Sequence, residues 1–476
     1  MSLKIHNTLS GLTEELIPGG IKKESINEYP PVTIYSCGPT VYSYAHIGNF
    51  RTFVFNDLLN RYLKFRGFNL KHAMNITDVD DKTIAGANKD GVTLKEFTEK
   101  YTRIFLDDLK ALNIQPVDYM PKATESVDAM IDILSRLNDK DIAYEKEGSL
   151  YFSIAKYPEY GRLSRLDRRE IKSGLRYDTD SYEKEDVRDF ALWKAAGPDE
   201  PSWDTPFGKG RPGWHIECSA MIRKIFGGTI DIHTGGVDLI FPHHENEIAQ
   251  SEAAYREKFV RYWIHAEHLL VDGAKMSKSL GNFYTLRDII EKGYSPRSIR
   301  YLLLSAHYKK QLNFTFEGLK QAENALERID NFILRLNDVK LESEKNPDTD
   351  IIISKFISKF TDTVDDDLNI AGGLGVFFDF VHEINSLIDG GKASKSDVEA
   401  VIGALKKIDS VFGFIFFEDK KNDDVDIERI EKLIAERIKA KAEKNFKKAD
   451  EIRDTLTKEG IILEDSKDGT RWKRKK

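Results

Sequence analysis

The stretch VYSYAHIGNFRT, residues 41–52, decides the fold, because it marks where a strand gives way to a helix. Upstream, Val32, Thr33, Ile34 and Tyr35 form a β-branched and aromatic run that predicts a short buried strand. Downstream, Phe53, Leu58, Tyr62 and Phe65 recur at roughly helical spacing and predict a helix over residues 50–66. His46 therefore falls at a strand–loop–helix junction, where unpaired backbone N–H groups and the helix dipole can hold an anion. A packed histidine at an ordinary helix start explains the same residues. The stretch alone leaves both readings open.

Working outward, residues 1–120 alternate strand-like and helix-like segments, with a second strand at residues 69–76, which predicts a parallel α/β sheet. From residue 121 to 206 the texture changes to a helix (126–137), a strand-like GSLYFSI and a charge-rich stretch, as expected of an inserted domain. Glycine-rich and apolar segments at 213–271 predict the second half of the sheet. Beyond Ser295 the pattern turns helical, with candidate helices at 319–336 and 351–370; the latter carries Phe356, Phe360 and Val364 on one face. These imply a helical bundle interrupted by LESEKNPDTD, and a second polar break, EDKKNDDVD at 418–426, reads as a linker to a terminal domain.

The 476 residues are 40% hydrophobic and 32% charged, the composition of a soluble chain with a sizeable core. No apolar run approaches the roughly 20 residues of a membrane span, and MSLKIHNTLSGLTEEL holds no apolar core of an export signal. Two cysteines argue against a disulfide framework, so the expected compartment is the cytoplasm. The net charge of −7 hides a local reversal: residues 432–476 hold 15 Lys or Arg against 9 Asp or Glu and end in TRWKRKK. A basic cluster with an aromatic ring suits RNA, although a solvated, charge-rich helix end has the same composition.

Far downstream lies VDGAKMSKSLGNF, residues 271–283, where Lys275, Lys278 and two serines share a short loop flanked by Gly273 and Gly281. Mobile positive charge of this kind suits a phosphate-transfer site, where negative charge builds up in the transition state. HIG followed by KMSKS, in that order within an α/β region, resembles the signature pair of the class I aminoacyl-tRNA synthetases. SCGPTVYSYAHIGNFRTFVFNDLL, NITDVDDKTI, GWHIECSAM and HTGGVDLIFPHHENEIAQSEA extend the resemblance to the cysteinyl-tRNA synthetase family over residues 35–283.

That resemblance implies a Rossmann-like parallel-sheet catalytic domain (1–120 and 207–255) carrying an inserted connective, acceptor-end domain (121–206). A KMSKS and stem-contact region (256–318), a helical bundle (319–417) and a small mixed α/β anticodon-binding domain (427–476) follow. It places His46, Gly48 and Asn49 on ATP phosphates, with Lys278 and Lys275 stabilising the pentavalent α-phosphate. Gly235 and Gly236 would leave room for adenine, and Asp238 would accept from the ribose. Asn49 departs from the histidine that the family often carries there; an amide donates a hydrogen bond but carries no charge.

Cys37 and Cys218 suit inert buried thiols when taken singly. On the helix expected after Pro242, however, His243 and Glu247 stand four residues apart on one face. Two thiolates, an imidazole and a carboxylate make a tetrahedral zinc set, and the resemblance assigns one Zn²⁺ to Cys37, Cys218, His243 and Glu247. His244 and Glu245 then take capping or supporting roles. Direct thiolate–zinc bonding would separate cysteine from serine, which an ordinary pocket does by only about 10–200-fold. A zinc hydrolase, which activates water instead, is the rival at this set. Gly38, Thr77, Trp214 and His233 resemble the cysteine-binding positions, although each also suits a purely structural place.

The implied activity is ATP·Mg²⁺-dependent activation of L-cysteine and its transfer to tRNA(Cys), by a monomer with no membrane partner. In the tail, one helix bearing Lys441, Phe446 and Asp450 leads into a strand with Asp465, and Trp472 lies beyond; the resemblance makes these anticodon contacts. Phenylalanine stands at 446 where the best-known pattern has tryptophan, and lysine at 441 where it has arginine, which alone can grip guanine bidentately. A cysteine:amino-sugar ligase of the same fold, lacking the tail, and a catalytically silent RNA-binding paralogue are the alternatives.

Overall fold

The computed structural model describes residues 2–165, 189–197, 200–277, 280–417, 427–459, 461–466 and 469–474. The chain separates into two compact units, Met1–Phe417 and Glu418–Lys476.

Both strands expected in the first 120 residues form, at Val32–Ser36 and Leu70–Met74. Val32–Ser36, Leu70–Met74, Ile230–Gly236 and Val260–Ala266 form one sheet, parallel throughout, with Ile230–Gly236 and Val32–Ser36 at its centre. Every residue of Ile230–Gly236 is buried, as expected of a parallel sheet covered on both faces. Ser36 pairs with Thr234, and the Cys37 N–H donates to the Thr234 carbonyl at 3.2 Å. Cys37 and the Gly235–Gly236 pair therefore leave the sheet side by side, at the carboxyl ends of adjacent central strands. Open α/β sheets bind their ligands at that end.

The helix over Ile47–Phe65 starts three residues before the apolar spacing predicts, because His46 and Asn49 cap it. Its face packs Phe50, Val54, Leu58 and Tyr62 into the core shared with the sheet and the later helices. The insert contributes Val127–Asp139 and a five-stranded antiparallel sheet whose strands run from Ala143–Lys146 to Gly208–Pro212, past residue 206.

Four helices, Phe316–Asn337, Pro347–Val364, Ile370–Asp389 and Lys395–Phe412, follow. The helix expected over 351–370 is in fact interrupted at Asp365–Asn369. Asp367 and Leu368 take positive φ values of 57° and 56° there. The carboxylates of this turn are bound from elsewhere: Asp365 accepts from Tyr62 Oη at 2.8 Å, and Asp367 from the His6 N–H at 2.7 Å and Tyr308 Oη at 2.6 Å. Those long-range bonds hold a turn that helical spacing conceals. Phe360 meets both Phe65 and Phe412 edge-on, which joins the bundle to the long helix.

In the terminal unit, Ile430, Ile434, Ile452, Leu456 and Ile461 form a small core between two helices, Ile427–Ala442 and Phe446–Lys458, and a hairpin of Ile461–Ser466 with Gly469–Arg474. The single helix expected across Lys441 and Phe446 is thus two. Lys444 turns to φ 60°, and Asn445 caps the second helix by accepting from the Lys448 N–H at 3.2 Å. No described helix is long and apolar enough to cross a membrane.

Candidate active site and metal centre

At the start of the long helix, His46 Nδ1 accepts from the Asn49 N–H at 3.2 Å, and Asn49 Oδ1 accepts from the His46 N–H at 3.1 Å. This reciprocal cap consumes the acceptor of each side chain. What remains on both is donors: the neutral imidazole carries its proton on Nε2, and the amide keeps its Nδ2 hydrogens. Burial lowers the His46 pKa and so favours the neutral ring, outweighing Asp238, whose carboxylate works the other way. Two donors at the positive end of a 19-residue helix suit a phosphate.

The lysine loop closes on the same point. His46 bridges to Thr285, the Ile47 N–H donates to the Tyr284 carbonyl at 2.9 Å, and the His46 ring meets Phe283 edge-on at 5.3 Å. A side chain on Gly48 would come within 3.0 Å of Met276 and of the His46 ring. Asn282 braces the loop base, accepting from the Ser277 N–H at 2.8 Å and donating to the Lys275 carbonyl at 3.3 Å. Lys275 is exposed on a two-residue strand, Ala274–Lys275. Lys278 lies outside the described residues.

The thiols of Cys37 and Cys218 meet His243 and Glu247 in the interior, with one donor atom of each within 4.8 Å of the others and all four residues buried. His243 turns Nδ1 to His215 Nδ1 at 3.0 Å and keeps Nε2 for the pocket. Glu247 Oε1 lies 2.9 Å from that nitrogen, yet no hydrogen bond satisfies it. Its Oε2 lies 3.0 Å from His233 Nε2. A buried carboxylate oxygen with an open valence, beside two sulfurs and an imidazole, fits a thiophilic divalent ion.

A second quartet, Cys37, His233, His244 and Glu247, has equally close atoms. There His244 has both ring nitrogens engaged, with Cys37 Sγ at 3.3 Å and His265 Nε2 at 2.8 Å. The first quartet is the better fit.

The charge states agree with that choice. Burial pushes the Cys37 thiol well up, whereas Cys218 is brought down to about 6 by the Cys37 hydrogen bond and by His243, against burial. Burial lowers His243, but Glu247 and Cys218 reverse this and push it up to about 10. Burial raises Glu247, and His233 and His243 outweigh that to lower it. The pocket thus favours a Cys218 thiolate and a Glu247 carboxylate facing a protonated His243, with Cys37 keeping its thiol proton, and a divalent ion would displace these protons.

Residues 24–324 match the tRNA synthetases class I (C) catalytic domain, residues 359–417 a DALR domain, and residues 427–472 the cysteinyl-tRNA ligase anticodon binding domain. The chain is 46% identical over 503 residues to the cysteine–tRNA ligase of Koribacter versatilis, covering 100% of both. It is 47% identical over 479 residues to that of Protochlamydia amoebophila, covering 99% of this chain and 98% of the relative. The chain belongs to the cysteine–tRNA ligase family. It is a class I aminoacyl-tRNA synthetase, an enzyme. The fold is shared more widely: the Mycobacterium tuberculosis methionyl-tRNA synthetase solved with methionyl-adenylate superposes with a TM-score of 0.58 at 15% identity, over 80% of this chain and 92% of that one.

Within this cysteine–tRNA ligase fold, the remaining sequence-predicted residues separate by surroundings. A Cβ on Gly38 would fall 1.7 Å from the Asn75 carbonyl, and its N–H donates to Asn75 Oδ1 at 2.8 Å, so only glycine fits. Thr77 donates to Glu217 Oε2 at 3.0 Å and is buried. Trp214, 40% exposed, stacks on His243 at 4.3 Å beside the candidate metal quartet. His233 stacks on Trp263 at 4.6 Å, and its Nδ1 is buried without a hydrogen-bond partner. The space above Gly235 is taken by His244 and Leu239, and that above Gly236 by Asp238.

Sequence reasoning passed over Asn75, His215 and Glu217, although all three lie inside the quoted blocks NITDVDD and GWHIEC. Glu245 accepts from the Gly161, Leu163 and Ser164 N–H groups, which ties the helix Glu245–Tyr255, bearing Glu247, to the insert.

In the terminal unit, Phe446 opens the second helix and is 62% exposed, and Asp450 lies one turn on. Lys441 sits on the helix before it. Asp465 and Trp472 lie on the two strands of the hairpin, and their side chains are outside the described residues.

Proposed function

We propose that the chain charges tRNA(Cys) with L-cysteine in two steps at the carboxyl end of the parallel sheet, as a monomer in the cytoplasm. The observation that carries this is the juxtaposition of two chemistries there: a buried sulfur-rich donor set and a helix start stripped of acceptors. Cys37, Cys218, His243 and Glu247 would hold one Zn²⁺. Bound there, the ion would take the thiolate of cysteine in preference to the hydroxyl of serine.

The chain's own residues do the rest. Gly38 lets the backbone approach the amino group, and Thr77, Trp214 and His233 line the amino acid. His46 Nε2–H and the Asn49 amide donate to the phosphates of ATP·Mg²⁺, with Gly48 leaving room, while Asp238 accepts from the ribose beside Gly235 and Gly236. A cysteine carboxylate oxygen attacks the α-phosphorus, the bond to the β-phosphate oxygen breaks, and pyrophosphate leaves. Lys275 and Lys278 supply charge as it builds up on the phosphorus. The terminal adenosine hydroxyl of tRNA then attacks the carbonyl and AMP departs. Lys441, Phe446, Asp450, Asp465 and Trp472 would contact the anticodon, with exposed Phe446 as a stacking face.

Cysteine- and ATP-dependent pyrophosphate exchange, run beside serine, tests the first step; no exchange would favour a silent RNA-binding paralogue. Deleting residues 427–476 is expected to abolish tRNA charging and leave exchange intact. Unchanged ligation without the tail would favour the amino-sugar ligase.

A further inference from the structure

Arg287 joins three segments that the proposed mechanism treats separately. It lies in the short helix Leu286–Glu291 just after the lysine loop, and Leu286 beside it is fully buried. Its Nε reaches Asp108 Oδ1 at 3.2 Å on the helix Leu94–Ala111, and its guanidinium lies over the Tyr44 ring at 5.6 Å. Tyr44 stands two residues before His46 and meets Tyr101 of the same Leu94–Ala111 helix edge-on at 5.9 Å.

Asp108 is buried and its Oδ2 has no hydrogen-bond partner, so Arg287 is the cation that compensates this carboxylate. The loop side therefore grips the helix start at two points. Phe283 and Thr285 hold His46 itself, and Arg287 holds the segment leading into it.

We propose that Arg287, through the face of Tyr44 and the carboxylate of Asp108, is a positioning residue for adenylate formation. It sets the lysine loop against the His46–Asn49 cap. The inference rests on the two-step reading above. A planar guanidinium bonds in its plane while stacking on a ring, which an ammonium cannot do. Losing this clamp misplaces charge that acts in the transition state, so the effect falls on kcat more than on substrate binding.

The test is pyrophosphate exchange by the full-length protein under saturating cysteine, with kcat and the KM for ATP measured separately. Arg287→Ala is expected to lower kcat on the order of 10- to 100-fold with the KM for ATP within about threefold. Arg287→Lys should recover only part. Tyr44→Ala should reproduce the loss, Tyr44→Phe should restore most of it, and the Arg287→Ala/Tyr44→Ala pair should be no worse than either single change. An unchanged kcat in Arg287→Ala, a loss confined to KM, or fully additive losses in the pair would overturn the inference. Absence of exchange in the wild-type protein would instead overturn the functional reading.

Discussion

Cys218→Ala protein should purify with a small fraction of the zinc expected of the wild type, about one ion per chain, and should lose most of its preference for cysteine over serine. The four donors are mutually within 4.8 Å and buried, and the neighbouring quartet that lacks Cys218 has His244 already engaged through both ring nitrogens. Mutating even the outer partners of metal ligands costs about 10–100-fold in affinity. Removing a ligand outright should cost at least that much. What stays behind is Cys37, whose thiol burial still raises, beside His243 and Glu247. With the sulfur-selective partner lost, discrimination should fall to what shape alone provides, about 10–200-fold.

His215→Ala should give a milder loss, because it removes only the partner that orients His243 through Nδ1. Elemental analysis and paired exchange assays with the two amino acids are the measurements. Full zinc content in Cys218→Ala would show that the ion does not sit on this quartet. Full zinc loss with cysteine still strongly preferred over serine would show that selection works by other means.

The candidate site was more legible in the sequence than the scaffold around it, for a physical reason. Cys37, His46, Cys218, His243 and Glu247 are chemically distinctive, and their short spacings (HIG, and His243 to Glu247 along one turn) are local. The first central strand was legible for the same local reason, since Val32-Thr-Ile-Tyr35 is a β-branched and aromatic run, whereas the strands within 213–271 were foreseen only as the second half of the sheet. Distant bonds were hidden. The Asp365–Asn369 turn interrupts an apolar period that continues from Phe356 to Ile370, and Asp365 and Asp367 in it accept from Tyr62, His6 and Tyr308. The break between Lys441 and Phe446 hangs on Asn445, a residue type that caps helices as readily as it decorates them. Donors freed by a reciprocal cap, as at His46 and Asn49, are likewise visible only in three dimensions.

The largest stability loss should come from a residue that reads in sequence as an ordinary surface acid. Asp57, on the long helix behind His46, has a side chain with no exposure. Its Oδ2 accepts from Arg61 Nε at 2.7 Å and from Arg300 Nη2 at 2.6 Å, and Arg300 is itself fully buried. Arg300, on the helix Pro296–Leu304, also donates to the Phe412 carbonyl at 2.8 Å and the Leu112 carbonyl at 3.1 Å, so one guanidinium ties that helix to the bundle. Gly413 closes over the pair at φ +66°, where any Cβ would sit 3.0 Å from Arg300 Nη2. Burial lowers the Arg300 pKa, and Asp57 works against it.

Asp57→Ala leaves two buried guanidinium groups hydrogen-bonded to carbonyls alone, with Asp409 as a more distant counter-charge to Arg300. Breaking a buried pair from one side costs about 3–5 kcal/mol, which should move the first urea transition to markedly lower denaturant. Asp57→Asn keeps an acceptor in place and should recover part of the loss. Because replacing both charges with apolar groups of similar volume is often neutral, Asp57→Leu combined with Arg300→Met should be more stable than Asp57→Ala alone. If Asp57→Ala unfolded at the wild-type urea concentration, the carboxylate would not be the compensating charge. If the double variant were no better than the single one, the loss would be one of packing, and Arg300 would be held by its carbonyls.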